Sequence, residues 1–435
     1  AHGAKFAVQL HFGGLIANAA ALQPVWCPSI PLPKGPDTLG AAYLPEELES
    51  AGFDKLPPYD FHEMTAEDAA ALVQMFADGA QRALEAGADG VEIHAGHGYI
   101  FSSFLSLITN RRTDDYGGSL ENRARLLVDT MRAIRARVGD KLAAWCKIDS
   151  VEYERPGGIT IEDAIATARM LEAAGADAIT VTAYHDPAIG ALHSGSHTPD
   201  KPALNAPKAA AIKAAVGIPV ILSGRIEVDL SDKVIGDGEA EFIAMGRKLL
   251  ADPALPAKLK SGDARDVLPC IYCYTCISAI YERKTARCAV NPETGFETED
   301  WLSRAAQRKK VAIIGGGPAG MEAARRLSTR GHEVTLLERN GHLGGTLLFA
   351  SIAYEPNESI LNWLKKGVEE SNVDLRLNTD ADEKLLKALA PDAVIVATGA
   401  RRDMPSLPGA DQAHVLSGDE VRSLVLGEDM GSLRR

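Results

Sequence analysis

Residues 310–340 read KVAIIGGGPAGMEAARRLSTRGHEVTLLERN, and this stretch decides the fold class. The run KVAII leads into Gly315-x-Gly317-x-x-Gly320, a helical pattern follows, and a second apolar run, EVTLL, ends on the acidic Glu338. Strand, glycine turn, helix, strand and acid in that order are the dinucleotide-binding fingerprint in the βαβ context it requires. The glycines permit a tight turn and bring a helix amino terminus up to a pyrophosphate, while Glu338 is placed to bond a ribose hydroxyl. The bland alternative is a βαβ unit with an empty glycine turn. A later strand, DAVIVATGA, ends at Thr398 and Gly399, with no second glycine fingerprint before Arg435.

Upstream, residues 270–288 read CIYCYTCISAIYERKTARC and hold four of the six cysteines. Cys270, Cys273 and Cys276 follow each other at two-residue gaps, and Cys288 returns after eleven more residues. Each iron of a [4Fe-4S] cubane takes one soft thiolate, which this spacing supplies. Zinc competes, although zinc sites usually pair two two-cysteine knuckles; buried or disulfide-linked cysteines are the structural alternative. Cys27 and Cys146 lie outside the group and read as inert small hydrophobes.

Further upstream, short apolar runs alternate with longer helical patterns: KFAVQL (5–10), DGVEIH (89–94), LAAWCKI (142–148), AITVTA (178–183), PVILSG (219–224) and FIAMG (242–246). Repeated βα units with buried parallel strands give an α/β fold, either doubly wound or a (β/α)8-type barrel, of which only six units are present. The Pro- and Gly-rich stretch from Gly13 to His62 reads as a loop after the first strand, where barrels place substrate-shaping segments. AVNPETGFETED (289–300) reads as a linker. The expected division is a barrel domain at 1–262, an iron–sulfur segment and linker at 263–308, and a partial Rossmann-like domain at 309–435.

The 435 residues are 46% hydrophobic and 24% charged, with a formal net charge of −13. That charge argues against nucleic acid or an anionic membrane surface as partner, because counterion release would run the wrong way. No run of about eighteen apolar residues suggests a membrane span, and none reads as a secretory signal. Clustered thiols without such a signal point to a reducing, cytoplasmic setting.

Taken together, GADGVEIHAGHGYIFSSFLS, NRRTDDYGGSLENRAR, SGRIE, MGRKLLADP, the cysteine spacing and VAIIGGGPAG resemble the iron–sulfur branch of the Old Yellow Enzyme family, which includes 2,4-dienoyl-CoA reductase, 2-enoate reductase and trimethylamine dehydrogenase. The resemblance covers essentially the whole chain. Against the family pattern the sequence lacks the first two barrel strands and a second nucleotide domain, so six units are expected to leave two open sheet edges and to bind FMN poorly. It implies FMN in the barrel, FAD or an ADP-like ligand on the Rossmann segment, a [4Fe-4S] cluster relaying electrons between them, and NAD(P)H at a site not within this chain. The implied activity is reduction of an activated C=C bond in a small unsaturated carbonyl substrate. A trimethylamine-dehydrogenase-like amine dehydrogenase and a non-catalytic electron-transfer flavoprotein are the alternatives. Neither oligomeric state nor the choice between NADH and NADPH is legible.

His94, His97 and Tyr99 end the DGVEIH strand at its carboxyl end, where barrel active sites are assembled. Two imidazole donors three residues apart can reach one carbonyl oxygen and stabilise enolate charge, and Tyr99 is placed to protonate the α-carbon. In the family an H-x-x-[HN]-x-Y pattern carries these roles. Metal ligation or burial with backbone partners is the alternative reading. Gly224 with Arg225 and Gly246 with Arg247 follow the fifth and sixth strands and fit the barrel's phosphate-binding loops. Gln9 resembles the family glutamine that bonds the flavin pyrimidine, and Lys147 stands where many relatives carry an Arg near flavin N1. Phe12 and Leu15 replace the family's His and Arg in the first loop. Arg112, Asp114, Tyr116, Gly117, Gly118, Glu121, Asn122 and Arg123 read as loop bracing, with Ser119 as an N-cap.

Overall fold

The computed structural model describes residues 3–16, 24–32, 46, 49, 60–153, 155–185, 201–281, 284–299, 302–400, 406–412 and 414–427. They form two compact units, Ala1–Met245 and Gly246–Arg435.

The first unit carries β1 (Ala7–Leu10), β2 (Val25–Cys27), β3 (Phe61–Glu63), β4 (Gly90–Ala95), β5 (Ala143–Tyr153), β6 (Ile179–His185), β7 (Val220–Ser223) and β8 (Phe242–Ala244). Its helices are α1 (Ala66–Glu85), α2 (Ile100–Leu105), α3 (Leu120–Val138), α4 (Ile161–Ala173), α5 (Ala206–Lys213) and α6 (Val228–Gly236). Six strands pair in parallel in the order β1-β4-β5-β6-β7-β8, a half-barrel sheet with β1 and β8 at its edges. This matches the six units and two open edges expected from the sequence.

Strand alternation positions the site. Val91, Ile93 and Ala95 of β4 are fully buried in the core, which sends Glu92 and His94 to the opposite face. The helices are fixed at their starts by side chains. Thr65 and Asp68 form a reciprocal capping box on α1, and Thr160 and Asp163 do the same on α4. Ser119 caps α3 by accepting from Asn122 N at 3.3 Å, as expected.

The stretch from Gly13 to His62 is not simply a loop. β2 and the start of β3 fall within it and pair in parallel, Val25 with Phe61 and Trp26 with His62, while residues 17–23, 33–45, 47, 48 and 50–59 lie outside the described residues. Three-residue strands are too short for sequence periodicity to reveal. Packing holds them: Val25 and Cys27 are fully buried, and Trp26 stands 5.5 Å from Phe12, ring to ring. Arg112 braces the same region, donating to the carbonyls of Pro28 at 3.1 Å and Met64 at 2.7 Å while pairing with Asp114. Gly117 is required here, since a β-carbon would lie 2.2 Å from the Arg112 carbonyl oxygen.

The second unit contains a four-stranded parallel sheet of β9 (Lys310–Ile314), β10 (Glu333–Leu337), β11 (Val373–Arg376) and β12 (Ala393–Val396), ordered β11-β10-β9-β12. Its helices are α7 (Arg247–Ala251), α8 (Leu255–Ser261), α9 (Thr275–Tyr281), α10 (Pro318–Thr329), α11 (Thr346–Ala353), α12 (Glu355–Glu369), α13 (Glu383–Leu389) and α14 (Gly418–Leu426). Val311, Ile313, Val334 and Leu336 pack with Met321 and Ala324 of α10 and with Ile360, Leu361 and Leu364 of α12. Leu268, Ile271 and Val290 flank this core, so the cysteine stretch is anchored to the nucleotide-type domain. Among the described residues no helix is long and apolar enough to cross a membrane.

Candidate active site and cysteine pocket

The turn after β4 gathers three of the expected catalytic residues. His94 and His97 are buried, and His97 adopts a left-handed conformation at φ 59°, followed by Gly98 at φ 74°. Gly96 N–H donates to His94 Nδ1 at 3.3 Å, so Nδ1 is the acceptor and Nε2 carries the proton in the neutral ring. His94 Nε2 then lies 3.1 Å from His97 Nδ1, and His97 Nε2 lies 2.8 Å from Thr182 Oγ1 on β6. The two imidazoles therefore form a chain of donors and acceptors. A substrate oxygen can accept from both rings once the His97 proton sits on Nδ1, with His97 Nε2 accepting from the Thr182 hydroxyl, so that the bond between the rings is replaced. Tyr99 packs edge-on against His94 at 4.7 Å and against His11 at 4.2 Å. Burial raises the Tyr99 phenol and lowers the His11 imidazole, so Tyr99 stays protonated and His11 neutral near pH 7. Sequence reading missed His11 and Thr182 here, because ring packing and cross-strand register bring them in.

On the same face, Glu92 is a hub. Its Oε1 accepts from Thr180 Oγ1 at 2.6 Å and Trp145 Nε1 at 2.9 Å; its Oε2 accepts from Gln9 Nε2 and sits 3.3 Å from Lys147 Nζ. Burial works to raise the Glu92 carboxyl, but Lys147 and the three hydrogen bonds outweigh it and hold the group below the usual range. Gln9 and Lys147 are thus brought together, with the charge of Lys147 compensated. Period-two alternation from His94 was the signal that could have found Glu92. In the same unit Gly224 has φ 135° and Arg225 is buried, its carbonyl accepting from Ala203 N at 2.6 Å.

In the second unit all four cysteines line one pocket with Arg247, Leu250, Tyr272 and Tyr274. The chain enters it contorted, with Tyr272 and Tyr274 left-handed at φ 51° and 61° on either side of Cys273. Such a conformation costs a residue with a β-carbon about 1–2 kcal/mol. Tyr272 N–H donates to Cys270 Sγ at 3.4 Å, and Thr275 Oγ1 lies 3.3 Å from Cys273 Sγ. The Arg247 guanidinium lies over the rings of Tyr272 and Tyr274 at 5.1 and 4.9 Å, and Lys248 Nζ lies 5.7 Å from that of Tyr272. Burial pushes the Cys270 thiol up to about 11, while Arg247 and Lys248 act in the opposite direction. Arg247, expected at a flavin phosphate, is a cation beside the thiols. The donor set suits a thiolate-bound cluster: four sulfurs, two nearby cations and no carboxylate or imidazole on the lining. Among the described residues no three His, Cys, Asp or Glu side chains form a group that could hold a metal ion. Cys27 and Cys146 are fully buried, and burial raises both thiols.

The glycine turn fits a dinucleotide. Gly315 has φ 108°, and a β-carbon on Gly320 would stand 1.9 Å from the Gly315 carbonyl oxygen, so α10 can close on the turn only with glycine there. A β-carbon on Gly317 would meet nothing within 4 Å, leaving open space at the start of the 12-residue helix α10. Glu338 is buried, and its two oxygens accept from Gly316 N at 2.7 Å and Asn340 N at 2.8 Å. Gly246 heads α7, with open space at its β-position.

Residues 1–266 match the NADH:flavin oxidoreductase / NADH oxidase family, and residues 309–425 match the pyridine nucleotide-disulphide oxidoreductases. The chain is 36% identical over 389 residues to cinnamate reductase of Clostridium sporogenes, covering 84% of this chain and 57% of that protein. It is 35% identical over 422 residues to NADH oxidase of Thermoanaerobacter brockii, covering 94% and 61%. The solved structure of 2-naphthoyl-CoA reductase in complex with 2-naphthoyl-CoA superposes with a TM-score of 0.79 at 32% identity, covering 85% of this chain and 56% of that one. Dehydrogenases of N,N-dimethylglycine/sarcosine and of dimethylamine are also relatives. The chain spans about three fifths of the length of the curated relatives it matches. The two families imply FMN, FAD and NAD(P)H as cofactors. With its half-barrel flavin unit, cysteine pocket and nucleotide domain, the chain belongs to the NADH:flavin oxidoreductase / NADH oxidase family, in the iron–sulfur flavoprotein branch of Old Yellow Enzyme type.

Proposed function

We propose that this chain reduces the activated C=C bond of a small enoate, enoyl thioester or enone. The observation that carries the reading is the assembly of His94, His97 and Tyr99 at the carboxyl end of β4. FMN, when bound, supplies the hydride. His94 and His97 hold the carbonyl oxygen of the substrate with ring N–H groups and so stabilise the charge that develops there. Tyr99, kept protonated by burial, gives its proton to the α-carbon.

Gln9 and Lys147 would orient the flavin pyrimidine, and Gly224 and Arg225 its phosphate. Gly315, Gly317 and Gly320 would admit the FAD pyrophosphate, with Glu338 turning to a ribose hydroxyl. Cys270, Cys273, Cys276 and Cys288 would hold the [4Fe-4S] cluster, whose chemistry when bound is one-electron transfer. On this reading 1–262 is the reducing domain, 263–308 the relay segment and 309–435 the nucleotide domain, working in the reducing cytoplasm. Amine dehydrogenation is the second reading, favoured by the dehydrogenase relatives; a pair of carbonyl-binding imidazoles gives an amine no partner.

The test is flavin reoxidation in the reduced holoprotein. Tyr99→Phe and His94→Phe should each slow reoxidation by an enoate by about 100-fold or more. Reoxidation by a one-electron acceptor should stay unchanged. Equal loss with both oxidants would point to damaged cofactor binding, and no loss with the enoate would refute the assignment.

A further inference from the structure

We propose that Asp149 is the positioning residue that holds the His97–Gly98 turn and thereby registers the His97 ring between His94 and Thr182. Two successive residues of this turn are left-handed, at φ 59° and 74°. A β-carbon disfavours that conformation, so His97 stays there only if its neighbours over-determine it. Asp149 on β5 supplies the constraint. Its Oδ2 accepts His97 N–H at 2.8 Å and the Ser102 hydroxyl at 2.7 Å, and that hydroxyl in turn receives Gly98 N–H at 3.3 Å. Two consecutive backbone donors are thus gathered on one oxygen, directly or through a single hydroxyl.

The other carboxyl oxygen explains why the group is not there for stability. Asp149 is 1% exposed, and Oδ1 has no hydrogen-bond partner among the described residues. A half-satisfied buried carboxyl is a liability that an apolar residue would avoid. Oδ1 is wedged against the turn: a β-carbon on Gly96 would lie 2.9 Å from it and 3.2 Å from Thr182 Cγ2. Asp149 also pairs in register with Thr182, the residue that receives His97 Nε2. One strand position therefore fixes the backbone of His97, and its cross-strand neighbour fixes the ring. The groups around the carboxyl are Glu152 on its own strand, Arg155 beyond the end of that strand, His97 from the turn after β4, Ser102 from α2 and Thr182 from β6. Burial is the largest influence and pushes Asp149 up to about 8, so near neutrality it is a neutral acceptor that Asn can imitate.

That this turn matters for turnover rests on the reductase reading; that Asp149 holds it does not. The test compares Asp149→Ala with Asp149→Asn in the holoprotein, by 15N NMR of labelled histidine rings and by enoate kinetics. Ala should shift the His97 ring resonances and lower kcat on the order of 10-fold to 100-fold with KM little changed. Asn should restore the resonances and keep kcat within about threefold of wild type. Unmoved resonances in Ala, or Asn as damaging as Ala, overturns the proposal. If Ala does not fold, Ser102→Ala removes the bridge to Gly98, and unchanged His97 resonances in that variant overturn it equally. Shifted resonances in a protein that no enoate reoxidises would sink the reductase reading and leave this one standing.

Discussion

Replacing Glu92 by Gln perturbs the polar face of the half-barrel at its most connected point. Four donors converge on the two carboxylate oxygens: Thr180, Trp145, Gln9 and Lys147. Gln offers one oxygen and an NH2 group, so at least one donor is left facing another donor, and Lys147 loses its counter-charge. At 3.3 Å the ion pair is worth about 5 kcal/mol gross at an effective dielectric constant of about 20. The side chains are only 19% and 12% exposed, so breaking the pair leaves a poorly solvated ammonium. Discounting for that residual solvation, the net loss is about 2–4 kcal/mol. One kcal/mol moves the melting temperature of a unit this size by about 2–4 °C, so the first transition should fall by about 5–15 °C. The assay is calorimetry of wild type, Glu92→Gln, Lys147→Met and the double variant, with the double variant recovering at least about 1 kcal/mol of the coupling. The sign with pH is fixed too. The folded value of Glu92 is lowered, so its stabilisation is present above the ordinary carboxylate range and is lost as pH falls through that lowered value. The gap between wild type and Glu92→Gln should therefore close in acid. A shift below about 2 °C with additive single variants would refute the hub.

Other consequences are as direct. Gly320→Ala drives a β-carbon to 1.9 Å from the Gly315 carbonyl oxygen, so overpacking of about 1–3 kcal/mol or more should exceed the helix gain of about 1 kcal/mol and destabilise the nucleotide domain. Gly317→Ala meets no protein atom, so it should leave melting nearly unchanged while weakening FAD binding by about 10-fold or more in equilibrium dialysis; unchanged affinity would contradict an open cradle there. Asp149, held at about 8 by burial, keeps a proton in the fold that the unfolded chain releases above about 3.9. Folding stability is therefore unaffected by this group below that pH and falls by about 1.4 kcal/mol per unit up to pH 8. Asp149→Asn should therefore gain stability relative to wild type as pH rises from 5 to 8, and a pH-independent difference in denaturation midpoints would count against it.

Much of the architecture was legible because buried parallel strands read as unbroken apolar runs. All six runs appear as strands, and the glycine turn appears where its spacing put it. β2 and β3 were not legible, because three residues carry no period and their order comes from packing and from Arg112. At the site the local motif gave His94, His97 and Tyr99, which the β4 turn does gather. Asp149 and Thr182 were silent because cross-strand register brings them in, and a single sequence does not display register, whereas Glu92 was within reach of the period-two alternation from His94. Arg247 shows the converse: its place after a strand suggested a phosphate ligand, and only the left-handed Tyr272 and Tyr274 reveal the thiol pocket it enters.

The central claim, reduction of an activated C=C bond, is tested most directly by mixing the anaerobically reduced holoprotein with an enoate, an enoyl thioester, an enone and a tertiary amine. The account expects rapid flavin reoxidation by at least one unsaturated carbonyl compound, with one molecule of saturated product for every two electrons withdrawn, and no reduction of the oxidised protein by the amine. Indifference to every unsaturated carbonyl compound, together with reduction by the amine, would contradict it.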